Sequence, residues 1–287
     1  MHRLAILTPD PADEGYRSRW REVLARLVAP LIRTGVAVEP VSWTASQDLR
    51  SFDLVLPLLV WGYHRARRQW HDRIAVWEEG QVKLRNPASV LRWNADKLYL
   101  SRLAKLGAPV VPTHFAERLT VPALAAAAAE FNTDRLVVKP QVSASAWQTI
   151  RWTPGGSLDG GPAGPAMIQP FLPDIVEGGE ISLVWLGRRF SHAIRKRPQP
   201  GDFRVQPEYD GIISRHEPAA DELAAAEAIL AAVEEELLYA RIDLVRGLDG
   251  RPVLMELELV EPDLYLEYDA AGGTRWRDAI LAALRSS

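Results

Sequence analysis

No cysteine occurs among the 287 residues. That excludes disulfides, thiolate nucleophiles and thiolate-held zinc or iron–sulfur centres, and it says little about compartment. No apolar run approaches the roughly 18 residues of a membrane-spanning helix. The start, MHRLAILTPD, is interrupted by Pro9 too soon for a signal peptide, so a cytoplasmic protein is expected. A net charge of -3 gives no bias toward nucleic acid or anionic membranes, and neither is expected as a partner. Neither G-x-x-x-x-G-K-[ST] nor G-x-G-x-x-G is present, so the two commonest glycine-rich phosphate cradles are absent. The chain is still long enough for a sizeable core and two or three subdomains.

Periodicity predicts an α/β protein with an α+β middle. Residues 4–8 form an apolar strand. Residues 16–33 form a helix with Trp20, Val23, Leu24, Leu27, Val28 and Leu31 on one face, ended by Gly35. Strands at 36–43 and 51–60 and a helix at 70–80 complete a small parallel unit. A turn at Asn86-Pro87 leads into a helix carrying Leu98, Leu100, Leu103 and Leu106. A short strand over 108–115, an alanine-rich helix over 122–131 and a strand over 135–139 follow. After a Gly/Pro-rich loop at 154–165 come a strand at 166–171, a hairpin of 180–186 with 189–196, a helix at 221–238 and a closing helix at 274–285. There is no internal repeat.

The stretch from Arg241 to Pro262 carries most of the chemistry. It reads as two strands joined by an Asp249-Gly250 turn. Asp243 lies on the first strand and Glu256 and Glu258 on the second. Two residues apart, the glutamates share a face, and strict alternation puts Leu254 and Val260 there as well. Carboxylates on a half-buried face repel one another unless a cation sits between them, and Mg²⁺ takes hard oxygen ligands. Taken alone, Glu-x-Glu also fits a solvated acidic face.

Lys139 leaves an apolar strand beside the small-residue loop 141–146. There Ser143 and Ser145, with Thr149, could support a bound phosphate. Lys97 falls in the first turn of a predicted helix, where a cation opposes the dipole unless an anion offsets it. Gln169, Phe171 and Leu172 suit an adenine, and Glu177 or Glu180 suits ribose hydroxyls. Arg195, Arg197 and Arg204 suit oxyanions, since guanidinium binds them bidentately. Trp61, Tyr63, His64 and the Arg65, Arg67, Arg68 cluster are candidates for a carboxylate-bearing substrate. So is Thr8-Pro9-Asp10, at the carboxyl end of a strand. Each of these groups alone also fits a surface or linker role.

The order Lys97, Lys139, Gln169 to Leu172, Glu180, Arg204, Asp243, Glu256, Glu258 resembles the ATP-grasp superfamily in its glutathione-synthetase-like branch, over roughly residues 86–266. The strings VVKPQVSASAWQT, EGGEISLVW, FSHAIRKRPQPGDFRVQ and VLMELELVEPDLYL are similar to the cyclo-ligase group of D-cycloserine biosynthesis, which closes O-ureido-D-serine to an isoxazolidinone ring. The resemblance implies an ATP-grasp fold: a parallel α/β substrate domain at 1–88, a lid domain at 89–170, and an antiparallel-sheet ATP/Mg domain at 171–287. It implies Lys97 and Lys139 on ATP phosphates, Ser143, Ser145 and Thr149 in the lid, and Gln169, Phe171 and Leu172 at adenine. Glu180, with Glu177 nearby, would take ribose, and Asp243, Glu256 and Glu258 two Mg²⁺ ions, a set that Mn²⁺ would also fit. Arg204, Lys139 and Arg195 would stabilise the transferred phosphoryl group. The implied substrate is a small amino-acid-like carboxylate, and a homo-oligomer is admitted because such ligases often pair.

Departures are a glutamate at 258 where many members have Asn, Asp210-Gly211 for a Gly-Gly pair, a less glycine-rich lid loop, and Trp61-Gly62-Tyr63 where relatives tend to read W-D-Y. Competing expectations are an intermolecular carboxylate–amine ligase, a silent ATP-binding module with a regulatory role, and a nucleotide-independent Mg²⁺ hydrolase.

Overall fold

The structure, a computed structural model, describes residues 2–16, 19–144, 146–205 and 210–286. β1 (His2–Thr8), α1 (Arg19–Val28), β2 (Val36–Ser42), β3 (Leu54–Leu56) and α2 (Arg67–Glu79) form the first unit. Its sheet is parallel, in the order β2-β1-β3. β1 is buried on both faces: Leu4 and Ile6 enter one core, Ala5 and Leu7 another. That is why it reads as an unbroken apolar run rather than an alternation. β3 is shorter than expected because Pro57 follows it and has no N–H for the ladder.

Residues 88–105 form two helices rather than one, α3 (Ala88–Asn94) and α4 (Tyr99–Lys105). Lys97 lies in the turn between them, just before the Leu98 N-cap, and not within a helical turn. Next come β4 (His114–Ala116), α5 (Val121–Phe131), β5 (Leu136–Pro140), β6 (Ile150–Trp152) and β7 (Ala166–Pro170). They build an antiparallel sheet in the order β4-β7-β5-β6. β6 was not expected, since three residues are too few to display a period. Thr120 caps α5 by accepting from the Ala123 N–H.

The remainder is α6 (Asp174–Glu177), β8 (Glu180–Leu186), β9 (Arg189–Arg197), β10 (Ile212–His216), α7 (Ala220–Ala231), β11 (Tyr239–Arg246), β12 (Pro252–Glu258) and α8 (Thr274–Arg285). Five strands form an antiparallel sheet, β10-β9-β8-β11-β12. One face is apolar. Ile181, Leu183, Ile242, Leu244 and Leu257 pack there against Ala226 and Ile229 of α7 and Val90, Tyr99 and Leu100 of α3 and α4. α3 and α4 thus pack on this sheet, in a cluster that also takes in Met167 of β7 from the four-stranded one. α8 returns to the first unit, where Trp276 and Ile280 join Leu27 and Leu31 and the Trp276 indole donates to the Leu27 carbonyl at 2.9 Å. No helix among the described residues is long and apolar enough to cross a membrane.

β12 is an edge strand, and its exposed backbone groups need partners. Buried side chains supply them at its end. Asn94 donates to the Leu257 carbonyl and accepts from the Leu259 N–H, and the Tyr99 hydroxyl accepts from the Leu257 N–H. Asn86 donates to the Tyr239 and Leu259 carbonyls and accepts from the Leu238 N–H. Replacing Asn86 by leucine orphans these three groups. We expect a loss of about 3 kcal/mol in urea unfolding; a loss below about 1 kcal/mol would show that the amide does not pin the strand.

Candidate active site

The second face of the large sheet borders a cleft of about 660 Å³, within the range of small-molecule sites. Strand alternation turns Glu180 and Ser182 of β8, Lys196 of β9, Arg241 and Asp243 of β11, and Glu256 and Glu258 of β12 to this side. Asp243 stands opposite Glu256, and Arg241 opposite Glu258. The next pair is Leu244 with Leu254, so Met255 is an extra residue in a β-bulge. The bulge sends Leu254 into the helix-covered core and leaves Met255 and Glu256 both on the cleft. Leu254 therefore does not share the glutamates' face, as strict alternation predicts. Val260 packs in the core of the first unit.

Charges on this buried face are paired. Lys196 Nζ lies 2.7 Å from Glu180 and 3.6 Å from Asp243. Asp243 accepts from the Ser182 hydroxyl at 2.5 Å and from Arg241 Nη2 at 3.0 Å. Arg241 also bonds Glu258. The Tyr265 ring is 5.5 Å from both Lys196 and Arg241. Lys97 Nζ is 3.1 Å from Glu256 and donates to the Ser143 carbonyl at 2.8 Å.

Titration follows from this arrangement. Burial opposes the charge on Asp243, yet Arg241 and Lys196 hold it below the usual carboxylate range. Burial raises Glu180, with Lys196 opposing. Burial raises Glu258 well above its ordinary value, and Glu256, Asp243 and Glu261 add to the rise against Arg241. Glu261 is pushed up to about 8 by burial and by Glu256, with Lys97 opposing. The β12 end of the cleft therefore carries a surplus of carboxyl groups that a bound cation would ionise. That surplus and the hard oxygen donors fit Mg²⁺. As they stand, Arg241 and Lys97 occupy these carboxylates, and among the described residues no three acidic or histidine side chains already form a metal cluster.

At the other end Val111, Val137, Phe171, Leu172, Ile175 and Met255 form an apolar wall. Gln169 is buried beside it, its amide donating to Thr113. Lys139 enters from β5 between the two ends. Burial lowers its pKa, and none of the described residues bonds its ammonium group.

Of the expected residues, Lys97, Lys139, Ser143, Thr149, Gln169, Phe171, Leu172, Glu180, Arg204, Asp243, Glu256 and Glu258 all border the cleft. Ser145 lies outside the described residues. Arg204 is held by Asp202 at 2.7 Å. Two expectations are corrected. Glu177 is exposed at the end of α6, away from the cleft. Arg195 lies on the opposite face of β9, bonded to His216, which in turn bonds Glu222. Alternation gives the cleft side to Lys196 instead. Lys196, Arg241 and Glu261 were missed. The first two were legible from strand parity, since Lys196 pairs with Glu180 and Arg241 is in phase with Asp243.

From the first unit Tyr16, Arg19, Trp61, Gly62, Tyr63, His64 and Arg65 reach the cleft. Arg67 and Arg68 are exposed outside it, Arg67 bonded to Asp96, and Thr8-Pro9-Asp10 does not border it. Burial, with Arg65 and Lys97, lowers His64 to about 4. Gly62 has φ 94°, and a Cβ there would stand 2.9 Å from Asp13 Oδ2. Asp13 itself bonds Arg65.

The same architecture occurs in the D-alanine–D-alanine ligase of Bacillus anthracis in complex with ATP, with TM-score 0.69 at 16% identity over 100% of this chain and 98% of that one. The crystal structure of D-cycloserine synthetase DcsG matches with TM-score 0.84 at 24% identity over 98% and 99%. The fold and cleft define an ATP-grasp carbon–nitrogen ligase. Residues 4–86 match the family model described as the N-terminal domain of D-cycloserine synthetase DcsG. The cycloserine biosynthesis protein DcsG of Streptomyces lavendulae is 30% identical over 282 residues, spanning 88% of this chain and 90% of that protein. A glutathione synthetase of Prochlorococcus marinus (strain MIT 9313) is 29% identical over 273 residues, spanning 88% and 82%. Within the ATP-grasp ligases, the chain belongs to the family of the cycloserine biosynthesis protein DcsG.

The raised Glu261 pKa has a sign that can be tested. A carboxyl with a folded pKa near 8 against 4.5 unfolded binds more protons when folded. Its contribution is fully present below the unfolded pKa and is lost as pH rises through the folded one. Glu261→Gln should therefore gain on wild type between pH 5 and pH 9, by about 1–3 kcal/mol in urea unfolding. A difference constant across that window would contradict the assignment.

Proposed function

We propose that the enzyme phosphorylates a substrate carboxylate with ATP and lets a nitrogen of the same substrate attack the acyl-phosphate, closing a ring. The observation that carries this reading is Lys139, a half-buried ammonium with no bonded partner among the described residues, on a cleft bordered by an apolar wall and a cluster of carboxylates. Such a group calls for an anion, and a phosphate chain running from an adenine at Phe171 and Leu172 toward Glu256 supplies it.

In this reading Gln169 and the apolar wall hold adenine and Glu180 takes the ribose. Lys97 and Lys139 bind phosphates under the loop bearing Ser143, Ser145 and Thr149. Asp243, Glu256 and Glu258 would hold Mg²⁺, two ions by the family resemblance, and the metal would neutralise phosphate charge. Arg204 steadies the transferred phosphoryl group. A carboxylate oxygen attacks the γ-phosphorus and ADP leaves. The nitrogen then attacks the acyl carbon, phosphate leaves with the electrons of the C–O bond, and the nitrogen loses its proton. The protein contributes position and charge rather than covalent chemistry. The four-stranded unit over 113–170 acts as the lid that keeps water from the acyl-phosphate. The DcsG relative points to an amino-acid-like substrate such as O-ureido-D-serine. The shared fold with D-alanine–D-alanine ligase supports a second reading, ligation between two molecules.

ADP release with Mg·ATP and O-ureido-D-serine tests the proposal. Release without an added amine is expected; a strict need for an amine would favour the second reading, and no release with any carboxylate would sink both. Lys139→Met should lower kcat/KM for ADP release by about 100-fold or more. A loss under threefold would remove Lys139 from the phosphate site.

A further inference from the structure

We propose that Glu261 receives the ammonium group of the substrate, so that the cleft selects aminated carboxylates over plain acids. The proposal rests on the ligase reading above and names the residue that reads the second functional group.

The first support is the charge inventory of the cleft. Lys196 bonds Glu180 and approaches Asp243. Arg241 bonds Asp243 and Glu258. Lys97 bonds Glu256, Arg65 bonds Asp13, and Arg204 bonds Asp202. Lys139 is influenced by Glu256 and Glu180. Glu261 borders the same cleft, yet among the described residues no cation lies within ion-pair distance of it and no other side chain donates to it. A half-buried carboxylate whose nearest cations, Lys97 and Arg241, act on it only from beyond ion-pair distance is poorly compensated unless a ligand brings one closer.

The second support is rigidity. The backbone around Glu261 is fastened on both sides. Asn86 donates to the Leu259 carbonyl at 2.8 Å, the Tyr239 hydroxyl to the Val260 carbonyl at 3.0 Å, and Arg241 to the Asp263 carbonyl at 3.3 Å. Pro262 is buried directly after it. The backbone that carries the side chain to the cleft is therefore fixed, the pre-organisation expected of a binding group.

The third support is position. Glu261 follows β12 and borders the same cleft as Trp61, Tyr63 and His64 of the first unit. Among the charges acting on the Tyr63 phenol, that of Glu261 is the largest. The neighbouring His64 is uncharged at neutral pH, so it supplies no counter-ion. A carboxylate that shares a cleft with aromatic rings suits an ammonium, which can bond the one and face the others.

The test is calorimetry on the full chain with Mg²⁺ and a non-hydrolysable ATP analogue. The probes are O-ureido-D-serine and D-alanine, each against the acid lacking its amino group. Wild type should bind the aminated member of a pair about 10- to 100-fold more tightly, as expected for one charge-assisted hydrogen bond. Glu261→Gln should reduce that preference to within about threefold, with binding of the nucleotide analogue retained. Glu261→Asp, which keeps the charge, should retain part of the preference and serves if the glutamine variant does not fold. A preference that persists in Glu261→Gln overturns the proposal. So does a wild type that binds both members equally or binds neither aminated probe. ADP release decides the ligase reading separately: its failure with every acid would leave the binding preference to decide Glu261.

Discussion

A sheet can carry charge on a buried face only if every charge has a partner within reach, and this chain builds its cleft on that condition. Glu180, Lys196, Asp243, Arg241 and Glu258 form one continuous chain of ion pairs across four neighbouring strands. The pairs exist because Glu180 faces Lys196 and Arg241 faces Glu258 in register. A slip of one residue in any strand would turn its charges into the leucine- and isoleucine-filled core and its apolar residues into the cleft. Register, core and active site are therefore one constraint. The apolar face under α3, α4 and α7 fixes the register, and the register aligns the charges.

The network is not electrically symmetric along its length. Near β9 and β11 the cations dominate, and Asp243 stays ionised despite burial. Near β12 the carboxylates dominate, and Glu258 and Glu261 resist ionisation. Lys139 sits between the apolar wall and the acidic end with its own charge penalised by burial. A ligand that is apolar at one end, anionic in the middle and accompanied by cations at the far end matches this gradient. A magnesium nucleotide with an aminated carboxylate has that pattern, and a plain anion does not.

Much of this was legible in the sequence because it depends on local pattern. The apolar run of β1 announced a parallel unit, and VLMELELV announced a strand with two carboxylates on one side. Lys139 stood out because it ends a buried strand beside a loop of small residues. What could not be read depends on what lies across space. The Met255 bulge leaves no glycine or proline to mark it, so Leu254 was placed on the wrong face. Arg195 attracted attention as a guanidinium, but parity gives the cleft to Lys196. Glu261 looked like one more acid because its significance lies in the cations its neighbours have already taken. Where the resemblance leads one to expect an aspartate at 62, Gly62 leaves room that the Asp13 carboxylate fills from another loop. No linear motif records that exchange.

Lys97 shows why the site belongs to no single sheet. It sits in the turn between α3 and α4, which pack beneath the five-stranded sheet. Its backbone N–H donates to the Gln141 carbonyl and its ammonium to the Ser143 carbonyl, both in the loop after β5. The same ammonium pairs with Glu256 on β12. Asp96 adds a bond from the Gln141 amide at 2.7 Å. One short turn thus ties the loop after β5 to the acidic edge of the floor. One nitrogen with three protons serves both acceptors and keeps a third donor for an anion. The floor and the loop above it are therefore joined through a single side chain.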